Sequence, residues 1–279
     1  MNVCILRGPR AEQSVIDSAI AALKAHGVDG WEAQRDGPMS AITARLKDTA
    51  LVVTLGGDGT FLAGGRLAAP KGIPVLGVNL GRLGFLTEVE AEELEDGLAR
   101  FLDGKYRIEE RTILQVSVSR GSRTVAKAIG LNEVVLDHSG EARMLRVEID
   151  VGGQAVGVID ADGVMVSTAT GSTAYALASG GPILEPTLRD LVLVPMNPFA
   201  LTVRPIVFPP GQNISLSVVR GPGEMRIDGG SGLAVETGDT VRCGSHPRRL
   251  KVVRFNPPEA FYRRLGDKLG WGRPLVPNK

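Results

Sequence analysis

Runs of apolar residues alternate with helical patterns over the first hundred residues of the chain. Residues 3–6, 51–55 and 73–78 are almost wholly apolar, which is typical of strands buried on both faces of a sheet. Apolar residues recur at helical spacing over 14–26 and again over 90–102. Strands that alternate with helices in this way predict an α/β domain built on a Rossmann-like parallel sheet.

The pattern changes after about Lys105, where apolar and polar residues begin to alternate along short segments. Glycine, proline, aspartate and asparagine separate these segments, and the combination is typical of an antiparallel β-sandwich. The predicted strands include 116–118, 145–151, 156–159, 164–166, 214–218, 225–227 and 241–243. Residues 258–269 place Phe261, Leu265 and Leu269 on one face, which predicts a C-terminal helix that packs back on the first domain.

These patterns predict two domains and a tail that returns to the first of them. We expect an α/β nucleotide-binding domain at 1–108, a β-rich domain at 109–250 and a returning C-terminal segment at 251–279. No internal repeat or low-complexity linker separates the two domains, so we expect them to share an interface. A cleft at such an interface is a favoured place for a ligand.

Composition excludes several classes of function. The 31 acidic residues nearly balance the 32 basic ones, so an electrostatic nucleic-acid binder is not expected. No apolar run reaches the ~18 residues of a membrane helix, so no membrane partner is expected either. Two cysteines, Cys4 and Cys243, and three scattered histidines lack the spacing of a structural zinc site. Reduced core cysteines fit a cytoplasmic protein.

The most informative segment is 51–60, where five strand-forming residues run into a glycine-rich turn that holds one carboxylate, Asp58. Glycines let the backbone approach a ligand, and unpaired N–H groups at such a turn and helix start attract phosphate. The candidate phosphate-binding residues are Gly56, Gly57, Gly59 and Thr60. A carboxylate among them is expected to have a chemical task, such as taking a proton from a hydroxyl or contacting a ribose or magnesium ion. The alternative is that Asp58 simply caps the turn.

Two further motifs suit a nucleotide, although each also has an ordinary structural explanation. Residues 78–86 follow a predicted strand, at the strand end where open α/β sheets bind ligands. Arg82 in this segment could reach a phosphate, or the segment could be a tight connection with an exposed arginine. Asn132 and Glu133 offer donor and acceptor groups that suit a nucleobase edge and ribose hydroxyls, or they form a turn.

A run rich in small hydroxylated residues extends from Ser167 to Tyr175, shortly after Asp160 and Asp162, and precedes a predicted helical stretch. Hydroxyls and exposed amides at a helix start suit a nucleotide. The ring of Tyr175 could pack against a purine or a nicotinamide, or it could be a buried core residue. The length and composition of the run favour a binding site over an ordinary capped helix.

Taken together, four blocks in this order resemble the NAD kinase family, the enzymes that make NADP from NAD. The blocks are 56–60, 77–87, 132–133 and 162–175. The first block alone is shared with lipid kinases of the diacylglycerol and sphingosine type, whereas 170–175 is far more specific to NAD kinases. The chain lacks a Walker-type phosphate loop, a Gly-x-Gly-x-x-Gly fingerprint and a Gly-x-Ser-x-Gly elbow, which disfavours three other enzyme classes.

The resemblance implies the fold predicted above and a reaction in which the 2′-hydroxyl of the NAD adenosine ribose attacks the γ-phosphate of a nucleoside triphosphate. Asp58 matches the family's proton acceptor, and Gly59 matches a substrate contact beside it. Mg²⁺ or another divalent cation is expected with the phosphoryl donor, and no metal ligand of the chain itself is expected. The other substrate-binding residues that the resemblance implies are Asn132, Glu133, Arg143, Asp160, Asp162, Thr173, Ala174, Tyr175 and Ala178.

The resemblance also implies the partners, which are NAD and ATP or polyphosphate, and a homodimer or homotetramer. Two departures concern the pocket, because Ala178 stands where the family often has serine and Phe199 where many relatives have histidine. A lipid kinase is an alternative that leaves 170–175 unexplained. A non-catalytic dinucleotide sensor is another, but a pure binder gains nothing from a carboxylate such as Asp58 near phosphates.

Overall fold

The chain forms two compact units. Unit 1 consists of residues 1–109 and 251–279, and unit 2 consists of residues 110–250. The computed structural model describes residues 1–81, 84–140 and 144–272. Because the segment after 250 belongs to unit 1, the chain leaves this unit once, builds unit 2 and then returns.

Helices and strands follow one another along the described chain in the order below. The helices are α1 Gln13–Ala25, α2 Met39–Arg45, α3 Asp58–Ala68, α4 Leu94–Leu102, α5 Tyr175–Ala178 and α6 Ala260–Leu269. The strands are β1 Asn2–Arg7, β2 Asp29–Gln34, β3 Thr49–Gly56, β4 Val75–Asn79, β5 Val89–Glu90, β6 Arg107–Arg111, β7 Leu114–Arg120, β8 Arg123–Gly130, β9 Glu133–His138, β10 Leu145–Val151, β11 Gln154–Ala161, β12 Gly163–Thr168, β13 Leu191–Met196, β14 Ile206–Phe208, β15 Ile214–Arg220, β16 Gly223–Ile227, β17 Leu233–Val235, β18 Asp239–Ser245 and β19 Leu250–Arg254.

Unit 1 is built on a sheet with the strand order β2-β1-β3-β4-β19-β6, and β5 pairs with β4 beside this path. The pairs β1–β2, β1–β3 and β3–β4 are parallel. The interior residues of β1 and β3 are buried, as their nearly uninterrupted apolar sequence predicts. Apolar residues of α1 and α4, among them Ile16, Leu23 and Leu98, pack against these strands.

Unit 2 is a β-sandwich. Its described residues form antiparallel sheets with the strand orders β11-β10-β15-β18-β7-β8 and β14-β13-β12-β9-β16-β17. Buried side chains from both sheets belong to one apolar cluster, so the sheets pack face to face. Val116, Val147 and Leu216 come from the first sheet, whereas Leu136 and Val166 come from the second.

The predicted fold class is confirmed, with one difference in detail at 90–102. The sequence predicts a single helix there, but the chain forms β5, a tight turn at Ala91–Glu93 and only then α4. The side chains of Glu90 and Glu93 form a reciprocal capping box across this turn, because each accepts the backbone N–H of the other. Because these two acidic residues form a capping box, α4 begins later than the apolar periodicity of the sequence predicts.

The two cysteines are core residues. Cys4 and Cys243 are buried free thiols. Burial raises the pKa of each thiol to about 12, although the charge of Arg45 partly opposes this for Cys4. Within the described ranges, no helix combines the length and apolar character that crossing a membrane requires.

Candidate active site

The glycine-rich turn lies at the point in the sheet of unit 1 where the strand order reverses. β1 pairs with β2 on one side and with β3 on the other, and β3 in turn pairs with β4. The connection after β1 therefore leads to a strand on one side of this point, and the connection after β3 leads to a strand on the other side. The gap at the carboxyl ends of two such strands is the usual ligand site of open α/β sheets. Gly8 follows β1 there and donates its N–H to the carbonyl of Leu55, at 2.8 Å.

The predicted phosphate-binding residues divide into two exposed and two buried ones. The Thr60 side chain is only 4% exposed and fills the space between two glycines. A Cβ would lie 2.4 Å from its hydroxyl oxygen at Gly8 and 2.3 Å from it at Gly56, so these positions require glycine. Gly57 and Gly59 are exposed. No side chain caps the first turn of α3, which leaves backbone N–H groups for a ligand.

Asp58 is held by the second glycine motif. Its carboxylate accepts the backbone N–H of Phe85 at 3.0 Å and that of Leu86 at 3.1 Å. A Cβ at Gly84 would lie 1.8 Å from a carboxylate oxygen of Asp58, so this motif needs a glycine to admit the acid. The structure thus brings the blocks 56–60 and 77–87 together around one carboxylate, although Arg82 lies outside the described residues.

A buried ionic cluster fixes the backbone that holds Asp58. Arg254 is 3% exposed and donates to the carbonyl of Leu86 at 2.9 Å and to the Glu88 carboxylate at 3.0 Å. Arg264 of α6 donates to the same carboxylate and to the carbonyl of Phe85. Burial raises the pKa of Glu88, but Arg254, two backbone N–H groups and Arg264 together lower it below its ordinary value. Glu88 is therefore ionised and ties α6 and β19 to this segment.

Two arginines border the exposed side of the glycine turn. A cavity of about 270 Å³ is lined by Gly8, Pro9, Arg10, Arg35, Gly56, Gly57, Gly59 and Thr60. Arg10 follows β1 and Arg35 follows β2, so both lie at carboxyl ends of parallel strands. Sequence reasoning missed both residues. The available signal for Arg10 was its position shortly after the strand predicted at 3–6, which is a weak one on its own, and Arg35 had no such signal because no strand was predicted before it.

In unit 2, Asn132 and Glu133 are held by a carboxylate that is distant in sequence. Asp228 accepts the backbone N–H groups of Leu131, Asn132 and Glu133, at 2.8 Å for the closest. Asp228 adopts a positive φ of 47°, which few residues other than glycine do and which turns its side chain back on this segment. Sequence reasoning did not identify Asp228.

Polar atoms of the same pair of residues are buried without a partner in the described chain. These are Oδ1 of Asn132 and Oε2 of Glu133. Glu133 is 6% exposed, and burial, helped by the negative charge of Asp228, raises its pKa to about 7. Because buried polar groups normally have partners, orphaned atoms of this kind mark a place where a polar ligand could bind. The binding of a substrate by Asn132 and Glu133 stays a prediction, which these orphaned atoms favour.

The hydroxylated run 167–175 folds against this pair. The carbonyl of Asn132 accepts the N–H of Thr168 at 2.8 Å and the hydroxyl of Ser167 at 3.2 Å. A Cβ at Gly171 would lie 2.3 Å from the same carbonyl, so the close approach requires glycine. The run forms a tight turn at Gly171–Thr173 and the four-residue helix α5, which is much shorter than the predicted helical stretch.

The remaining predicted residues of unit 2 lie at different degrees of exposure. Tyr175 is 47% exposed, so the alternative of a buried core tyrosine is wrong. Ala178 is also exposed, and Thr173 and Ala174 are half-buried. Arg143 lies outside the described residues.

Two aspartates of this set are already engaged with neighbouring side chains. Asp162 accepts a hydrogen bond from the Asn197 amide at 2.9 Å. Asp160 is bound by Arg146 at 2.7 Å and by Arg220 at 3.1 Å, and these partners lower the pKa of its carboxyl. The carboxylate of Asp160 is thus occupied by guanidinium groups, and a direct contact with substrate would have to compete with them.

The described residues contain no group of three or more His, Cys, Asp or Glu side chains that could hold a metal ion. Mg²⁺ commonly keeps several waters and is bound through one or two carboxylates together with substrate phosphates. The single carboxylate at the glycine turn fits that mode of binding, in which the donor's phosphates supply most of the ligands.

Comparison with protein families gives matches over most of the chain. Residues 20–106 match the model of the ATP-NAD kinase N-terminal domain, and residues 131–255 match the model of the ATP-NAD kinase C-terminal domain. The chain is 43% identical to an NAD kinase of Heliobacterium modesticaldum over 238 residues, which cover 85% of this chain and 84% of that protein. It is 38% identical to an NAD kinase of Treponema denticola over 260 residues, 92% of this chain and 91% of that one.

Solved structures show the same fold. A yeast NADH kinase crystallised with NADH superposes with a TM-score of 0.89 at 23% identity, over 100% of this chain and 90% of that chain. An NAD kinase from Archaeoglobus fulgidus in complex with ATP superposes with a TM-score of 0.79 at 25% identity, over 98% of this chain and 100% of that chain. These structures resemble the whole described fold, both the parallel sheet and the sandwich.

Proposed function

The chain belongs to the NAD kinase family, and from this premise we propose how its residues phosphorylate NAD. The reaction moves a phosphoryl group from ATP or another donor to the 2′-hydroxyl of the adenosine ribose of NAD, which gives NADP. One observation carries the assignment of roles. Asp58 is fixed by two backbone N–H groups, and its neighbours Gly57 and Gly59 line a cavity bordered by arginines.

The donor phosphates are proposed to occupy that cavity. Backbone N–H groups of the first turn of α3 and the positive end of its dipole favour an anion there. Arg10 and Arg35 can neutralise the negative charge that spreads over the phosphoryl oxygens during transfer, as guanidinium groups do in other phosphoryl-transfer sites. This use of the arginines also explains why a carboxylate can be tolerated beside the donor.

Asp58 is proposed as the catalytic base. The ribose 2′-oxygen forms a bond to the γ-phosphorus, the bond from that phosphorus to the bridging oxygen of the donor breaks, and the hydroxyl proton passes to the carboxylate of Asp58. The two hydrogen bonds from Phe85 and Leu86 hold the carboxylate in one orientation, so that its remaining lone pairs keep a fixed direction.

Gly59 and Asp58 are the contacts with the acceptor NAD proposed in unit 1, and the contacts proposed in unit 2 include Asn132 and Glu133. The orphaned oxygens of Asn132 and Glu133 support this, because they need polar partners such as ribose hydroxyls or amide groups. The exposed ring of Tyr175 can stack on a base. The other proposed contacts with NAD are Arg143, Asp160, Asp162, Thr173, Ala174 and Ala178. Asp228 acts through Asn132 and Glu133 as a positioning residue.

A divalent cation, Mg²⁺ in the simplest case, is proposed to enter with the donor. When bound to the phosphates, such a cation neutralises charge and aligns the donor. Asp58 is the side chain of the glycine turn that could contribute an oxygen ligand, either directly or through water. The protein groups named above bind, orient and deprotonate the substrates.

The experiment that tests this function is the formation of NADP by the purified chain from NAD, ATP and Mg²⁺, with NADH and polyphosphate as further arms. The expected result is NADP from NAD with at least one donor. A folded protein that binds NAD but makes no NADP from any donor would contradict the proposal and favour a sensor. Nothing in the part of the chain that the structure describes favours a lipid kinase, and phosphorylation of a lipid without NADP formation would be needed to revive that alternative.

The donor site is tested by substituting its arginines. Arg10→Gln and Arg35→Gln are each expected to raise the KM for ATP by about 10-fold or more, since a hydrogen bond to a charged group contributes about 1.5–3 kcal/mol. The KM for NAD should change little. Arg123→Gln, on the exposed end of β8, is the matched control. Equal effects on both KM values would contradict a donor-specific role.

We propose further that the enzyme works in the cytoplasm as a homodimer or homotetramer. Free buried thiols at Cys4 and Cys243 are consistent with a reducing compartment. The exposed side chains of Phe199 and Leu201 in unit 2 support self-association, because exposed apolar residues that lie together often mark an interface.

A further inference from the structure

A second cavity of unit 1 lies beside the proposed site of the donor phosphates. Its volume is about 410 Å³, within the range of about 300–1,000 Å³ that is usual for small-molecule sites. Arg10 lines both cavities, so the two are neighbours. We call the second one the acidic cavity, and its polar lining consists of Arg10, Glu12, Asn79, Glu90 and Glu92.

The acidic cavity is built at the same edge of the sheet as the glycine turn. Glu12 follows β1, Asn79 is the last residue of β4, and Glu90 is the last residue of β5. β4 and β5 are parallel, and Asn79 pairs with Glu90. The N–H of Leu80 donates to the carbonyl of Gly56 at 3.3 Å, which connects the wall of the acidic cavity to the glycine turn. A molecule with its phosphates at the turn can therefore extend into this cavity.

Asn79 brings a buried hydrogen-bond acceptor to the acidic cavity. Its side chain is 1% exposed, and its amide nitrogen donates to the carbonyl of Gly81 at 2.9 Å and to the carboxylate of Glu90 at 2.7 Å. Because a carbonyl and a carboxylate can only accept, these two bonds fix which end of the amide carries the oxygen. That oxygen, Oδ1, has no partner among the residues that the structure describes. Buried polar atoms normally have one, so a ligand that donates an O–H or N–H is expected here.

The charge of the acidic cavity is the reverse of that of the donor-phosphate cavity. Three carboxylates, those of Glu12, Glu90 and Glu92, line it together with one guanidinium group. The described lining at the glycine turn instead holds two arginines and no acidic residue. Within the described ranges, no three acidic, histidine or cysteine side chains are arranged to hold a metal ion. The acidic cavity therefore suits an organic group that donates hydrogen bonds and carries no negative charge.

We propose that the acidic cavity binds the nucleoside of the phosphoryl donor, so that the chain uses a nucleoside triphosphate in preference to inorganic polyphosphate. This inference rests on the proposed function. The ribose hydroxyls and the amino group of a base such as adenine donate to Oδ1 of Asn79 and to the carboxylates of Glu12 and Glu92. Arg10, which lines both cavities, contacts the phosphates nearest the ribose. A polyphosphate offers no such nucleoside, and phosphates that continued into the cavity would meet carboxylates of the same charge.

The test compares ATP with tripolyphosphate, which has three phosphates but no nucleoside, as donors for NADP formation in the presence of Mg²⁺. The native chain should have a kcat/KM for ATP at least about 10-fold above that for tripolyphosphate, because each hydrogen bond to the nucleoside increases affinity several-fold. The double variant Glu12→Gln, Glu92→Gln should reduce this preference at least about 5-fold, since it weakens two acceptors and removes two charges that repel phosphate.

Asp48→Asn is the matched control. It makes the same change from carboxylate to amide at another exposed position of unit 1, but Asp48 precedes β3 and so lies at the opposite end of the sheet. This variant should keep the native preference. Asn79→Ala removes the buried acceptor and should also reduce the preference for ATP. Because this change can affect folding, its readout is the ratio of the two donors, which a loss of folded protein does not alter.

A native chain that uses ATP and tripolyphosphate equally well would overturn the proposal, and so would a double variant that keeps the native preference. An equal effect of Asp48→Asn would overturn it as well. Calorimetry with ATP and tripolyphosphate, without NAD, repeats the comparison in the absence of turnover. A chain that makes no NADP but binds ATP more tightly through Glu12 and Glu92 refutes the kinase proposal and supports the nucleoside site. A chain that makes NADP without preferring ATP refutes the nucleoside site alone.

Discussion

At the scale of single residues, the protein places two carboxylates in contrasting surroundings. Asp58 is half-buried and accepts two backbone N–H groups, which orient it without enclosing it. Glu133 is 6% exposed, has one oxygen without a partner in the described chain and lies near the negative charge of Asp228. The first environment suits a base that exchanges protons with a substrate, and the second suits a binding group whose ionisation is costly.

The environment of Glu133 predicts a pH dependence of stability. Its pKa is about 7 in the folded chain against an ordinary value of 4.5, so the folded state retains a proton that the unfolded state releases. The stabilisation is therefore fully present below pH 4.5 and is lost as the pH rises through about 7. Relative to Glu133→Gln, the native chain should lose up to about 1.4 kcal/mol of unfolding free energy per pH unit in that window.

Urea denaturation of both proteins at several pH values between 4.5 and 8, without NAD, measures this difference. Asp228→Asn should move the loss of stability to lower pH, because it removes a negative charge that raises the pKa of Glu133. If the difference in unfolding free energy between the native chain and Glu133→Gln does not change with pH, the prediction is wrong and Glu133 is ionised in the folded chain over this whole pH range.

At the scale of elements, the site of unit 1 depends on a segment that has no regular secondary structure and is held in place by buried ion pairs and hydrogen bonds. The segment 84–88 donates two N–H groups to Asp58, while its carbonyls and Glu88 bind Arg254 and Arg264. The start of α3 and the segment 84–88 therefore act as one assembly. Changes in either are expected to alter activity even where they do not touch a substrate.

Gly84→Ala tests this assembly. The added Cβ would lie 1.8 Å from the carboxylate of Asp58, so the acid must move. We expect NADP formation to fall about 100-fold or more, which corresponds to losing a positioned base, while the unfolding free energy changes much less. Gly266→Ala, in α6, is the matched control, because a Cβ there would lie 3.9 Å from its nearest neighbour among the described residues, which is an ordinary van der Waals contact. Similar activity of the two variants would contradict the account.

Arg254→Met tests the support behind the segment. Arg254→Met removes one of the two guanidinium partners of Glu88 and leaves Arg264, and breaking a buried ion pair typically costs about 3–5 kcal/mol. Urea denaturation should show a loss of this size, whereas Arg123→Met on the exposed β8 should change the unfolding free energy by less than about 0.5 kcal/mol. A small loss for Arg254→Met would contradict this account, because it would mean that Arg264 alone is enough to compensate the charge of Glu88.

At the scale of the whole molecule, the sequence predicted the fold class and the family because both depend on local signals. Buried strands appear in the sequence as apolar runs, and the strands of the sandwich appear as alternating apolar and polar residues. The glycine motif at 56–60 marks a strand-to-helix turn. The helix at 90–102 starts later than predicted, because capping by Glu90 and Glu93 overrides apolar periodicity.

The supports of the site could not be predicted in this way. Asp228 bonds to residues almost a hundred positions earlier in the chain, and Arg254 bonds to Glu88 at a separation of 166 residues. No spacing or composition signals such a pair, since only the folded chain brings the partners together. Arg10 is an intermediate case, because its place after the strand predicted at 3–6 was visible but the cavity that it shares with Arg35 was not.

The most direct test of the central claim compares the native chain with Asp58→Asn. We expect kcat for NADP formation to fall by about 10²–10⁴-fold, the usual contribution of a positioned base. The dissociation constant for NAD, measured by calorimetry, should change less than 10-fold, because the amide keeps the shape of the carboxylate and its oxygen can still accept one of the N–H groups of Phe85 and Leu86. An Asp58→Asn variant that retains nearly full kcat would contradict the assignment of Asp58 as the group that takes the proton.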